Sequence, residues 1–102
     1  MNDEQLDLIF KALSDSTRRR IIDRLSKQPA QSLFSVCAAS VAEDGVALSR
    51  QTVSQHLAVL EKAGLIEIEW KGRTKTHSLS VGNEHIAAAS WLAKYKPSGS
   101  KA

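Results

Sequence analysis

The sequence predicts a mainly α-helical domain with a small β-hairpin, made of about five helices and two strands. The helices are indicated by apolar residues that recur every three or four positions along much of the 102-residue chain. The hairpin is indicated by residues 65–70, where apolar and charged residues alternate before a Lys-Gly-Arg turn. This length suits one domain, so we expect residues 1–95 to fold together and residues 96–102 to form a disordered tail.

The first three helices are predicted from apolar stripes and from residues that favour helix ends. Apolar spacing, with acids in the first turn, predicts the first helix over Asp3–Leu13. Serine and aspartate side chains then offer caps for a second helix over residues 16–26. A third helix is expected to begin near Gln31 or Ser32 and to be broken by residues 43–45. Its buried stripe would comprise Leu33, Val36, Cys37 and Val41.

The fourth helix has the best-marked ends in the chain. Ser49 is a good N-cap, and Gly64 suits the left-handed position that follows a helix. The buried side of this helix carries Val53, Leu57 and Leu60. The strands of the hairpin are expected over residues 65–70 and 74–81, and an alanine-rich segment from Asn83 onward predicts the last helix.

Composition and charge narrow the class of protein. Charged residues make up 25% of the chain and hydrophobic residues 42%, as in an ordinary soluble protein. No apolar run approaches the roughly 20 residues that span a bilayer, and the N-terminus is acidic where a secretion signal is basic. We therefore expect a cytoplasmic protein without a membrane partner. Residues 49–102 hold 8 Lys/Arg against 4 Asp/Glu, which favours a polyanionic partner.

The order of the elements is the pattern of a winged helix-turn-helix, in which a recognition helix enters the DNA major groove beside a hairpin wing. On a helical projection, the side of the fourth helix opposite its leucines is polar and nearly free of acids. That side carries Gln51, Ser54, Gln55, Ala58 and Lys62. Glutamine can pair with adenine, serine can donate or accept, and Arg50 can reach guanine or phosphate. The alternative is an ordinary solvated helix face.

Basic residues surround the predicted hairpin turn, where Gly72 permits a positive φ. We expect Lys71, Arg73 and Lys75 to contact phosphates of double-stranded DNA, with Arg73 inserted into the minor groove. Exposed turns that bind nothing are also commonly charged. Arg18 is more ambiguous, because a solvated or salt-bridged surface explains it as well as a phosphate contact does.

Two segments resemble the ArsR family of transcriptional repressors. Residues 10–22, which read FKALSDSTRRRII, are similar to the first helix joint of the family. Residues 49–66, which read SRQTVSQHLAVLEKAGLI, are similar to its recognition helix, with Lys71-Gly72-Arg73 in the place of the wing. The match covers most of residues 6–80. It implies a winged-helix homodimer, built from the first and last helices, that binds an inverted-repeat operator and blocks transcription.

The resemblance places Ser54 and His56 at positions that touch DNA, although a histidine beside a buried leucine is often only a partly packed side chain. The candidate DNA-binding residues are Arg18, Arg50, Gln51, Thr52, Ser54, Gln55, His56, Lys62, Lys71, Arg73 and Lys75. The candidate dimer interface consists of Leu6, Phe10, Trp91, Leu92 and Tyr95. The alternative for these apolar residues is packing within one chain.

Two features depart from the family pattern. Many members sense metals through paired cysteines or through ligands on the last helix, but Cys37 is a lone thiol and no further ligand follows Glu84 and His85 at helical spacing. We therefore expect no metal and no cofactor, and the effector stays unknown. Residues 40–48 form a longer connection than the usual turn, and their acids predict that it projects away from the duplex.

Other functions are less well supported by the sequence. A redox-responsive regulator using Cys37 would need an exposed, activated thiol, whereas this residue lies on a predicted apolar stripe and is expected to be a buried structural thiol. A winged-helix module for a protein partner would present aromatic residues on the face that here shows Gln, Ser and Ala. We expect no catalytic residues, because no nucleophile, base and orienting group can be assembled.

Overall fold

The structure, a computed structural model, describes residues 2–80 and 84–95, without the side chains of residues 44 and 84–87. Its elements are α1 (Asp3–Leu13), α2 (Ser16–Lys27), β1 (Gln31–Ser32), α3 (Leu33–Asp44), α4 (Arg50–Lys62), β2 (Ile66–Lys71), β3 (Thr74–Leu79) and α5 (Glu84–Ala93). The prediction of five helices and a hairpin wing is confirmed. The expected disordered tail, residues 96–102, lies outside the described residues.

Capping side chains explain where the helices begin. The side chains of Asn2, Asp15, Ser32 and Ser49 each accept a hydrogen bond from a backbone N–H in the first turn of the helix that follows. Gly64 has a φ of 77° just beyond α4, as expected for a glycine that ends a helix. The bounds of α1 and the cap of α4 are as predicted.

Helix α3 runs further than predicted. Residues 43 and 44 continue the helix, which ends at Gly45 with a φ of 68°. The backbone N–H of Gly45 donates to the carbonyl of Val41, so the two acidic residues extend the helix and Gly45 ends it. The expected long loop over residues 40–48 is therefore wrong, because only residues 45–49 connect α3 to α4. Val41 is exposed and not buried as predicted.

The sheet has three antiparallel strands in the order β1-β3-β2. Strand β1 was not predicted, because two residues are too few to show an alternating pattern. Gln31 pairs with His77 and Ser32 with Thr76, so β1 ties the start of α3 to the wing, which consists of β2, β3 and the turn between them.

The core lies between the five helices and the base of the wing. Its largest fully buried side chains are Ile9, Ile21, Leu25, Val36, Val53 and Leu60. Because α4 contributes Val53, Leu57 and Leu60 to this cluster, its opposite side is held outward. None of the described helices is long and apolar enough to cross a membrane.

Candidate nucleic-acid interface

The outer face of α4 is a continuous polar surface. Its members, Gln51, Ser54, Gln55, Ala58 and Lys62, are all exposed. The core side chains of α4 lie on the opposite side of the same helix. The helix therefore has the amphipathic geometry that the sequence predicts. Its polar side is accessible, and the major groove of DNA is wide enough to admit an α-helix.

The N-terminal end of α4 is organised by a cap. The Ser49 hydroxyl accepts from the backbone N–H of Thr52 at 3.0 Å and donates to the Thr52 hydroxyl at 2.9 Å. Thr52 is half-buried, whereas Arg50 is exposed in the first turn, which contains no acid. An exposed helix N-terminus with one arginine favours an anionic group such as phosphate.

Cations are distributed around the tip of the wing. Lys71, Arg73 and Lys75 are all exposed, and Gly72 has a φ of 64° in the turn. Lys75 is directly opposite Trp70 in the register, so these two side chains share one face of the hairpin. Lys71 is adjacent to Trp70 in β2 and lies on the other face. The tip therefore presents positive charge on both faces of the hairpin.

Buried polar groups that the sequence did not reveal link the strands of the sheet. The His77 ring is buried, and its Nδ1 lies 2.9 Å from the carbonyl oxygen of Gln31 in β1. The Thr76 hydroxyl donates to the carbonyl of Glu69 at 2.8 Å. The only sequence feature that indicates burial of His77 is its position two residues before Leu79, on the same side of the strand.

Arg18 joins α1 to α4. Its Nε and Nη2 donate to the carbonyl oxygens of Ala12 and Lys11 at 2.8 and 2.9 Å, and its Nη1 lies 3.2 Å from Nδ1 of His56. Each guanidinium nitrogen thus contacts the chain itself, which argues against the phosphate contact considered from the sequence. A second link between the same helices runs from Gln5 Nε2 to the carbonyl of Ala63 at 3.1 Å.

Asp15 lies at the same joint. One carboxylate oxygen accepts from the backbone N–H of Thr17 at 2.8 Å and of Arg18 at 3.2 Å. Burial acts to raise the pKa of Asp15, but these amide hydrogen bonds, with the positive charge of Arg18, outweigh it and lower the pKa from its ordinary value. The ionised carboxylate is thereby favoured as the cap of α2.

A second surface is formed by α1 and α5. The rings of Phe10 and Trp91 are in edge contact at 5.6 Å, and those of Trp91 and Tyr95 are 5.0 Å apart. Leu92 is 57% and Tyr95 67% exposed, whereas Phe10 and Leu6 are half-buried. An apolar cavity of about 340 Å³, with Phe10 and Leu92 in its lining, opens beside them. Packing within one chain thus accounts for Phe10 but leaves Leu92 and Tyr95 uncovered.

The described residues also bear on Cys37 and on metal ligation. Cys37 is half-buried rather than fully buried as expected. Among the residues that the structure describes, no three His, Cys, Asp or Glu side chains cluster as metal ligands. The side chains of Glu84 and His85 lie outside the described residues.

Comparison with known proteins gives consistent matches. A family model described as a helix-turn-helix domain matches residues 13–69. The chain is 42% identical over 80 residues to the uncharacterized HTH-type transcriptional regulator YuzN of Bacillus subtilis (strain 168), covering 78% of this chain and 85% of that protein.

Solved structures show the same architecture. An ArsR family transcriptional regulator is 29% identical with a TM-score of 0.73, covering 92% of this chain and 89% of its own. An ArsR-like transcriptional regulator from Rhodococcus sp. RHA1 is 32% identical with a TM-score of 0.67, covering 89% and 78%. A homodimeric winged helix-turn-helix DNA-binding domain from Mycobacterium bovis is 20% identical with a TM-score of 0.69, covering 92% and 86%, and is similar in fold alone. The winged helix-turn-helix prediction is confirmed.

Proposed function

Because this chain belongs to the ArsR-type winged helix-turn-helix transcriptional regulators, we propose that it is a repressor that binds an inverted-repeat operator as a homodimer. It is a transcriptional regulator with a helix-turn-helix DNA-binding domain and not an enzyme. Repression requires only that the protein occupy promoter DNA, and a single DNA-binding domain is sufficient for this.

The observation that carries the proposal is the exposed polar face of α4 over a fully buried apolar side. In the major groove, Gln51 and Gln55 each offer an amide that can pair with adenine, while Ser54 can accept or donate. Arg50 and Lys62, near opposite ends of α4, can neutralise phosphates on either side of the groove. Thr52 is half-buried beside the cap, so its contribution is to support the first turn near the duplex.

The wing supplies contacts that do not depend on base sequence. Lys71 and Lys75 lie on opposite faces of the hairpin, with Arg73 in the turn between the strands. An arginine at a narrow hairpin tip fits the minor groove, and the flanking lysines are suited to the phosphates on its two edges. The wing would then fix the register of α4 on the duplex.

The dimer would be formed by α1 and α5. Leu92 and Tyr95 are exposed beside an apolar cavity, and Leu6, Phe10 and Trp91 continue the same surface. Burying such a surface against a second copy removes apolar area from water, which stabilises a small domain. The Mycobacterium bovis domain of similar fold is homodimeric, which supports a dimer without indicating which helices form it.

Selection from sheared genomic DNA of the source organism tests the DNA-binding proposal. The wild-type protein should enrich discrete fragments that contain inverted repeats. On a duplex from such a fragment, Gln55→Ala should lower specific affinity by about tenfold, since a lost base contact costs about 1 to 3 kcal/mol, and should leave non-specific affinity nearly unchanged.

Gln28→Ala is the matched control, because Gln28 is an exposed glutamine that lies after α2 and outside α4 and the wing. Enrichment of no fragment, or equal loss in the two variants, would contradict the assignment of α4 as the reading helix.

A further inference from the structure

The contact between Arg18 and His56 fixes the chemistry of the histidine ring. Nη1 of Arg18 lies 3.2 Å from Nδ1 of His56. A guanidinium stays protonated in proteins and only donates hydrogen bonds, so Nδ1 must be the acceptor. A neutral imidazole that accepts at Nδ1 carries its proton on Nε2. The geometry therefore selects one of the two tautomers of His56.

The other side of the contact is rigid. Arg18 Nε and Nη2 donate to the Ala12 and Lys11 carbonyls at the C-terminal end of α1, and Arg18 is half-buried. Two anchored nitrogens in one planar group leave the third nitrogen little freedom of orientation. The His56 ring is thus held from one side by α1, although it belongs to α4.

The remaining ring nitrogen is available to a ligand. Nε2 of His56 has no hydrogen-bond partner among the described residues, and the side chain is half-exposed on the flank of the outer face of α4. A ring nitrogen at the flank of a helix in the major groove lies toward the sugar-phosphate backbone rather than the base edges. Phosphate oxygens there are acceptors, which match an N–H donor.

We propose that Arg18 is a positioning residue that selects the Nε2–H tautomer of His56 and orients this N–H toward a backbone phosphate of the operator. The inference rests on the DNA-binding function proposed above, and it assigns Arg18 a role in binding without a contact to DNA. The tautomer is a property of the free protein, so it can be tested without any duplex.

The first test is a two-bond ¹⁵N–¹H correlation spectrum of the uniformly labelled protein at about pH 8. His56→Gln assigns the resonances. The wild-type ring should be the Nε2–H tautomer, and Arg18→Met should populate both tautomers. A wild-type ring protonated at Nδ1 would overturn the proposal even if Arg18→Met fails to fold, and so would an unchanged spectrum in the folded variant.

The second test measures affinity for a duplex that the wild-type protein selects from genomic DNA. Asparagine places its amide near the position of Nδ1, whereas glutamine reaches the position of Nε2. His56→Asn should therefore bind about tenfold more weakly, and His56→Gln should stay within about threefold of wild type, as expected for one hydrogen bond to a charged acceptor.

Arg18→Met should weaken binding by about fivefold in the wild-type background and by less than twofold in the His56→Asn background, since its effect passes through the ring. Equal effects in both backgrounds would overturn the proposal, because Arg18 would then act on the fold or on DNA directly. If no duplex is selected, the proposed function fails, and the spectrum alone decides the tautomer.

Discussion

Two histidines show how a neighbouring group determines which ring nitrogen carries the proton. Nδ1 of His77 faces the carbonyl of Gln31, which only accepts, so this nitrogen is protonated. Nδ1 of His56 faces the guanidinium of Arg18, which only donates, so the same nitrogen is unprotonated. The first ring joins two strands in the interior, and the second keeps its N–H for the surface of α4.

Asp15 should stabilise the fold in a pH-dependent manner. Asp15→Ala removes the cap of α2 and should lower the free energy of unfolding at pH 7 by about 1 kcal/mol, while Asp15→Asn retains most of the cap. The folded-state pKa is lowered, so the stability of the wild type over Asp15→Asn is present above about pH 4 and is lost as the pH falls through the folded pKa. Urea unfolding at pH 7 and at pH 3 measures the free energy of unfolding of the wild type and of Asp15→Asn. A difference between the two proteins that is the same at both pH values would contradict this account.

Arg73 should contribute to affinity through phosphate neutralisation. Arg73→Ala should weaken binding and reduce the slope of log K against log salt by about 0.9, the value for one phosphate. Lys27→Ala is the control, since Lys27 is an exposed cation at the end of α2, outside α4 and the wing. Fluorescence anisotropy over a salt series gives both slopes. An unchanged slope for Arg73→Ala would rule out a phosphate contact by the wing tip.

At the scale of the element, α4 combines a structural serine with a functional one. Ser49→Ala removes the N-cap and should lower the free energy of unfolding by about 1 kcal/mol. Ser54→Ala changes an exposed residue of the outer face and should leave stability within about 0.5 kcal/mol, yet reduce operator affinity. Thermal unfolding and DNA titration of both variants separate the effects. A Ser54→Ala variant that loses stability and retains affinity would reverse these roles.

The elements that the sequence predicts well are those whose signals are local. Helix α4 is an example, because the cap at Ser49, the apolar spacing and Gly64 all lie within the helix or next to it. Helix α3 ends within the predicted break at residues 43–45 but two residues after its start, and Glu43 has a distant partner: Arg24 of α2, almost fully buried, donates to its carboxylate at 3.1 Å. A pairing across 19 residues leaves no trace in the local pattern.

The candidate site likewise contains features that have local sequence signals and features that depend on distant contacts. The exposed outer face of α4 and the basic wing follow from helical periodicity and strand alternation, and both are placed as expected. The contact of Arg18 with His56 does not follow from either pattern, because it depends on the angle at which α1 and α2 meet α4. A sequence pattern specifies which face of a helix is buried but not which polar groups meet at its margin.

At the scale of the molecule, α1 connects the two surfaces that matter for the proposed function. It packs against α5, where Phe10 meets Trp91, and it is hydrogen-bonded to α4 through Gln5 and, by way of its C-terminal carbonyls, through Arg18. A change at the dimer surface would therefore be transmitted to the recognition helix through one element. In the proposed dimer, the spacing of the two copies of α4 would depend on how α1 and α5 pair.

Leu92→Glu should separate dimerisation from folding. Leu92 is 57% exposed in one chain, so a charge there is tolerated by the fold but would be buried and unpaired in a dimer built on α5. Sedimentation should give a monomer near 11.1 kDa for this variant and twice that mass for the wild type. Phe34→Glu is the matched control, because Phe34 is an exposed apolar residue on α3.

The monomeric variant should also reveal how the operator is read. Two recognition helices related by a two-fold axis require half-sites about one helical turn apart, so wild-type affinity should fall sharply when about 5 bp are inserted between the repeats. Leu92→Glu should bind weakly and be insensitive to that insertion, because each monomer reads one half-site alone. A wild-type protein indifferent to the insertion, or a Leu92→Glu variant that remains a dimer, would show that α5 does not set the distance between the helices.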